Sequence, residues 1–224
     1  YLTGKSLSDT VYGEMIHYQN ILNRYYDTLD ELQAVSDQLG DDTDPELAAV
    51  IFKEKLQDLE KDPDMYQPLI WYYLAQFSED PEEYKSCLLR CLEGNPMDFT
   101  AMSDLGTRLR RDGDLEGARS YYEQVLHYEK TEALACRGMA ILSLLNGEKE
   151  EALTWAQTAY ESNPDAVYVR DTYLVILSEN GKTQEAEQIK QEMADAGTPV
   201  EEDTQALLNG EITVREYYLE EEAL

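Results

Sequence analysis

Asp112-Gly113-Asp114-Leu115-Glu116-Gly117-Ala118 is followed 34 residues later by Asn146-Gly147-Glu148-Lys149-Glu150-Glu151-Ala152, and 34 later again by Asn180-Gly181-Lys182-Thr183-Gln184-Glu185-Ala186. The glycine and the alanine five positions on keep register each time. A fixed step of this size marks stacked supersecondary units. Glycine permits the positive φ that stops one helix. A connection of three or four residues sends the next helix back antiparallel. The small residue lets two helix axes approach closely. One such pair cannot bury its apolar face alone, so pairs stack.

Working outward, the spacing predicts four helix pairs at 65–98, 99–132, 133–166 and 167–200. The second is the clearest, with Leu105-Gly106 in its first helix and Ala118, Tyr122 and Val125 in its second. Turns containing Asn95-Pro96, Asn163-Pro164 and Gly197-Thr198-Pro199 close the first, third and fourth. The first pair is the odd one. Tyr84 stands at the small-residue place, and Ser78-Glu79-Asp80-Pro81 replaces the glycine turn. Asp80 suits the helix cap, Pro81 the first helical position and Glu83 the third.

These features resemble the tetratricopeptide repeat family over about 136 residues. Leu105, Gly106, Ala118, Tyr122, Ala152, Ala159, Pro164 and Ala186 match its pattern. Tyr84 departs from it, as do Lys130 and Lys190, where proline and an aromatic are expected. The resemblance implies an all-α, right-handed superhelical solenoid of antiparallel helix pairs.

Before the repeats, residues 1–64 form an N-terminal helical region. Val11, Met15, Tyr18, Leu22, Tyr25, Leu29, Leu32 and Leu39 alternate steps of four and three, a heptad seam. Tyr12, Ile21, Tyr26 and Val35 widen the apolar face, which favours packing within the chain. A helix over 7–39 is expected, with a break near Asn20 or Asn23 as an alternative. Gly40 ends it, Asp44 and Pro45 open a helix over 46–60, and Asp62-Pro63 ends that one. After the repeats, 201–224 is expected to cap the solenoid, with helices over 201–209 and 214–222. Thr213 and Glu216 have capping-box spacing.

Composition narrows the function. The chain of 224 residues has 47 Asp and Glu against 18 Lys and Arg, a net charge of −29. Such a chain repels phosphate backbones and anionic membrane surfaces, so neither nucleic acid nor direct membrane contact is expected. No apolar run of membrane-spanning length occurs. The sequence starts at Tyr1, so localisation is left between the cytoplasm and the soluble part of a protein with an upstream signal or anchor. Cys87, Cys91 and Cys136 make no disulfide framework and read as small buried residues. Gly4-Lys5-Ser6 lacks the rest of a phosphate loop. The acidic run 41–44 lacks the ligand spacing of a calcium loop. No nucleophile lies near a base and no metal-spaced cluster occurs, so no enzyme activity, cofactor or metal is expected.

By the resemblance, the first helix of each pair lines a groove that takes a protein or peptide. Its places here include Tyr66, Tyr73, Phe77, Thr107, Arg110, Arg111, Arg137, Ile141 and Tyr168, with Gln76, Leu144 and Asp171 beside them. Tyr66, Tyr73 and Phe77 read as an aromatic wall. Arg110, Arg111 and Arg137, with Arg108 near, suit acidic groups on the partner. The arginines also have the chain's own carboxylates within choice. The family's carboxylate clamp of Asn and Lys is not reproduced. The second reading is a structural assembly role, with a homodimer formed through helix 7–39.

Overall fold

The computed structural model describes residues 7–39 and 43–220. The run Gly4-Lys5-Ser6 and the acidic residues Asp41 and Asp42 lie outside them. The regular structure of the described residues is helical, with no strand among them, and within each unit helices that follow one another pack in pairs, consistent with helical repeats. The chain forms two compact units, 1–98 and 99–224.

In the first unit, α1 (Leu7–Gln38) runs unbroken through Asn20 and Asn23, and α2 (Pro45–Leu59) follows. Asp44 accepts hydrogen bonds from the amides of Glu46 and Leu47, with Pro45 at the first helical position. α3 (Gln67–Gln76) and α4 (Pro81–Gly94) form the first pair. Asp80 caps α4 by accepting from Glu82 N at 3.0 Å, and Ser78 Oγ donates to Glu83 at 2.7 Å. Capping oxygens thus replace the left-handed glycine of the other turns. Leu32 and Val35 of α1, Leu56 and Leu59 of α2, and Ile70, Leu88 and Cys91 of the pair are buried. Thr28 is buried too. Its hydroxyl donates to Arg24 O and accepts from Tyr66 N, which ties α1 to the start of α3 without an unmet polar group.

The second unit holds three pairs: α5 (Phe99–Arg111) with α6 (Leu115–Tyr128), α7 (Ala133–Leu145) with α8 (Lys149–Ser162), and α9 (Val169–Glu179) with α10 (Thr183–Asp195). The first helices contact one another in sequence, α5 with α7 and α7 with α9. The glycine turns share one geometry. Gly113, Gly147 and Gly181 have φ of 84°, 79° and 68°. The next amide bonds back across the turn each time: Asp114 N to Leu109 O, Glu148 N to Ser143 O and Lys182 N to Leu177 O, all at 2.9 Å. This is the six-to-one closure that a left-handed residue makes available.

Close packing follows from small residues. Tyr122 is fully buried between Gly106 and Gly138. A Cβ on Gly106 would stand 2.6 Å from its ring, and one on Gly138 2.3 Å. The ring's hydroxyl meets Thr107 Oγ1 at 3.1 Å. Where Lys130 stands in place of proline, Glu132 opens α7. Its carboxylate accepts from the amides of Leu134 and Ala135, and from Ser103 Oγ. α11 (Glu202–Leu208) packs on α9, and a π-helical turn at Glu216–Glu220 contacts α5 and α11. Thr213 and Glu216 exchange both capping-box bonds.

Candidate functional site

The expected groove residues fall into distinct settings. Tyr66 begins α3 and meets Tyr25 of α1 edge-on, with ring centroids 5.6 Å apart. Tyr73 and Phe77 lie at the other end of α3. They line a separate cavity of about 290 Å³ with Leu29, Leu32, Phe52 and Leu56, where Gln33 and Ser36 supply the polar groups. Phe52 stacks on Phe77 at 6.4 Å, and Lys53 Nζ donates to Phe77 O. The three aromatics therefore do not form one wall. The α1 residues Leu29 and Leu32 complete the cavity, and their pattern predicts a buried helix face without saying which helix receives it. Such a cavity accepts a bulky apolar side chain.

In the second unit the arginines are committed within the chain. Arg108 pairs with Asp112 one turn on. Arg110 is fully buried, donates to Tyr218 O, and stands 5.7 Å from the Tyr218 ring. Ile141 is fully buried in the cluster that includes Tyr217 and Tyr218. Arg111 is half-buried on the last turn of α5, and Thr107 shares its hydroxyl with Tyr122.

Arg137 and Tyr168 are brought together. Arg137 Nε donates to Thr172 Oγ1 at 2.9 Å and to Tyr168 O at 3.3 Å, and its guanidinium sits 5.4 Å from the Tyr168 ring. Tyr168 caps α9 with φ of 56°, the one non-glycine residue in the left-handed region among those described. An aromatic side chain in that region is strained, by roughly 1–3 kcal/mol. The ring remains 41% exposed, and Val167 beside it is 64% exposed.

A cleft of about 160 Å³ opens there, lined by Asp165, Tyr168, Arg170, Asp171 and Glu201 among others. Arg170 pairs with Asp165 at 2.7 Å. Asp171 Oδ1 is shielded from solvent and meets no hydrogen-bond donor. Burial pushes the Asp171 carboxyl above its ordinary range, with Glu201 adding to the rise; its own amide, Arg137 and Arg170 act against it. An acceptor held this way gains from a donor brought in from outside. Asp171 is legible in sequence only as a groove-side position.

The cysteines carry no accessible chemistry. Burial pushes Cys91 up to about 12 and Cys136 up to about 11, so both are thiols at neutral pH. Among the described residues no group of His, Cys, Asp and Glu is arranged to hold a metal, and no helix is long and apolar enough to cross a membrane.

Stacked antiparallel helix pairs with glycine turns define a helical-repeat protein. The tetratricopeptide repeat family model matches residues 109–173. That match and the stacked helix pairs together support assigning the repeats to this family. Repeats of this family generally mediate protein–protein interaction and are typically non-enzymatic. No curated protein matches the chain.

Proposed function

We propose that this protein is a non-enzymatic interaction module that binds a partner protein or peptide along the first helices of its pairs, with Tyr168 and Asp171 as the central contacts. One observation carries the reading: a buried carboxylate oxygen without a donor faces a cleft beside an exposed, strained aromatic. A peptide amide or a cationic side chain supplies the missing donor, and Tyr168 offers it a stacking surface. Arg110 does not reach a partner while Tyr218 covers it. In the first unit, the cavity at Tyr73 and Phe77 accepts an apolar anchor from the partner.

The reading is tested by selecting random peptides on the full chain and measuring them on Tyr168→Gly and Asp171→Asn variants. Selected peptides should lose at least about tenfold in affinity on either, roughly 1.4 kcal/mol. Peptides that bind all three proteins equally would remove the cleft from the function.

A second reading has its own observation. Met15, Tyr18, Leu22 and Tyr26 of α1 are 64%, 64%, 48% and 58% exposed and share one helix face. Such a stripe suits self-association through α1, the alternative to packing within the chain. Light scattering decides it. A dimer that becomes a monomer in Leu22→Glu supports assembly, and a monomeric parent chain sinks it.

A further inference from the structure

We propose that residues 213–220 are a tethered occupant of the groove face at α5 and α7, which a partner segment of the same chemistry must displace. The proposal rests on the reading that the first helices receive a partner. A C-terminal cap needs only to cover the last pair. This one goes further. Its π-helical turn contacts α5, the first helix of the second pair, 108 residues back in the chain.

Two expected partner-facing residues are covered as a result. Arg110 donates to Tyr218 O, and Ile141 shares a buried cluster with Tyr217 and Tyr218. Arg110 is the largest side chain fully buried among the described residues. A buried guanidinium requires an acceptor, and the tail supplies a backbone carbonyl together with an aromatic ring. The occupant's chemistry is therefore an adjacent pair of aromatics, the second presenting its carbonyl to Arg110.

The segment is attached through Val214, Tyr217 and Tyr218. Tyr217 and Tyr218 are buried, and Tyr217 hydrogen-bonds Thr204 at 2.7 Å. Thr213, Arg215 and Glu216 are exposed. The turn itself uses i→i+5 bonding, which is rare and occurs mostly as single turns. A short segment anchored at two rings and at Val214, with Thr213, Arg215 and Glu216 exposed, is a candidate to open before the core. A free segment of like sequence then competes for the same face.

A labelled peptide of residues 211–224 tests this, titrated into the full parent chain and into full-chain Tyr218→Ala. The variant should bind at least tenfold tighter than the parent, and adding Arg110→Gln should reverse the gain. Equal binding to both chains overturns the proposal. So does no binding to a Tyr218→Ala chain that retains its helical circular dichroism, or collapse of that chain. Hydrogen exchange on the unaltered protein gives a second measure. The amides of 213–220 should exchange at least tenfold faster than those of α7, and exchange at a common rate overturns the idea. None of these results depends on an outside partner, so failure here leaves the cleft at Tyr168 and Asp171 standing.

Discussion

Tyr122 is the side chain on which the packing of α5, α6 and α7 turns. Its neighbours Gly106 and Gly138 leave no space for a methyl group. Gly138→Ala gains helix propensity of about 1 kcal/mol, but it presses a Cβ onto the ring of a fully buried tyrosine. Overpacking of this kind costs roughly 1–3 kcal/mol, so net destabilisation is expected in urea titrations. Gly13→Ala is the control, because nothing lies within 4 Å of its added Cβ; that variant should be neutral or slightly stabilising. Gly106 is legible in the sequence from its place after Leu105. Gly138 is not. It stands 32 residues after Gly106, two short of the repeat step, so its role is set by which ring reaches it rather than by period.

Asp171 joins stability to function at the same scale. Its folded carboxyl titrates above the ordinary value of 3.8. A raised carboxyl pKa means that the charged form opposes folding. The penalty is absent below the unfolded value, where both states are protonated, and grows as pH rises through the folded one. Asp171→Asn should therefore raise Tm at pH 7 and leave it nearly unchanged at pH 3, while weakening peptide binding. Tyr160 titrates in the opposite region. Burial, then its hydrogen bond to Glu192, raises it to about 12. Its stabilisation is complete below pH 10 and is lost as pH rises toward 12, so Tyr160→Phe should flatten that part of the stability profile.

At the scale of elements, the turns form the same helix pair by different chemistry. Three use glycine in the left-handed region, and the first uses Asp80 as an N-cap ahead of Pro81. Asp80→Ala should destabilise the first unit by about 1 kcal/mol. Glu132 stands at a boundary the sequence places correctly, but its role as the cap of α7 was not read from it. Glutamate ranks low as a cap, and its use here depends on Ser103 of α5 standing close enough to donate to it. The signal available was Lys130 at the proline place, which marks a boundary made by other means. α1 shows the same limit. Its heptad seam foretells a long helix with a wide apolar face. The seam does not say that Leu32 and Val35 are covered while Leu22 is left outside.

At the scale of the whole molecule, each compact unit holds one of the two tryptophans: Trp71 in residues 1–98 and Trp155 in residues 99–224. Trp71 lies under the Arg90 guanidinium at 4.3 Å. Stacked-repeat proteins owe their stability to neighbouring units, and their parts need not melt together. Single-tryptophan chains made by Trp71→Phe or Trp155→Phe should report distinct denaturant transitions. Tyr122→Ala, expected to cost about 3–5 kcal/mol, should move the Trp155 transition and leave that of Trp71 nearly in place. Coincident shifts would show that the chain unfolds as one cooperative block.

The sequence by itself determined the all-α repeat. The positions of Gly113, Gly147 and Gly181 and the apolar periods between them are local properties, and local backbone preference with a 3.6-residue period is enough to define a helix and its end. The resemblance to the tetratricopeptide repeat family, not the period itself, marked the first helices as the face to watch. Only the tertiary structure decided which residues on that face remain available. Arg110 is covered because Tyr218 comes back to it across 108 residues, whereas Tyr168 stays exposed above Arg137. Those outcomes depend on contacts between residues far apart in the chain, and no periodicity encodes a pairing that occurs once.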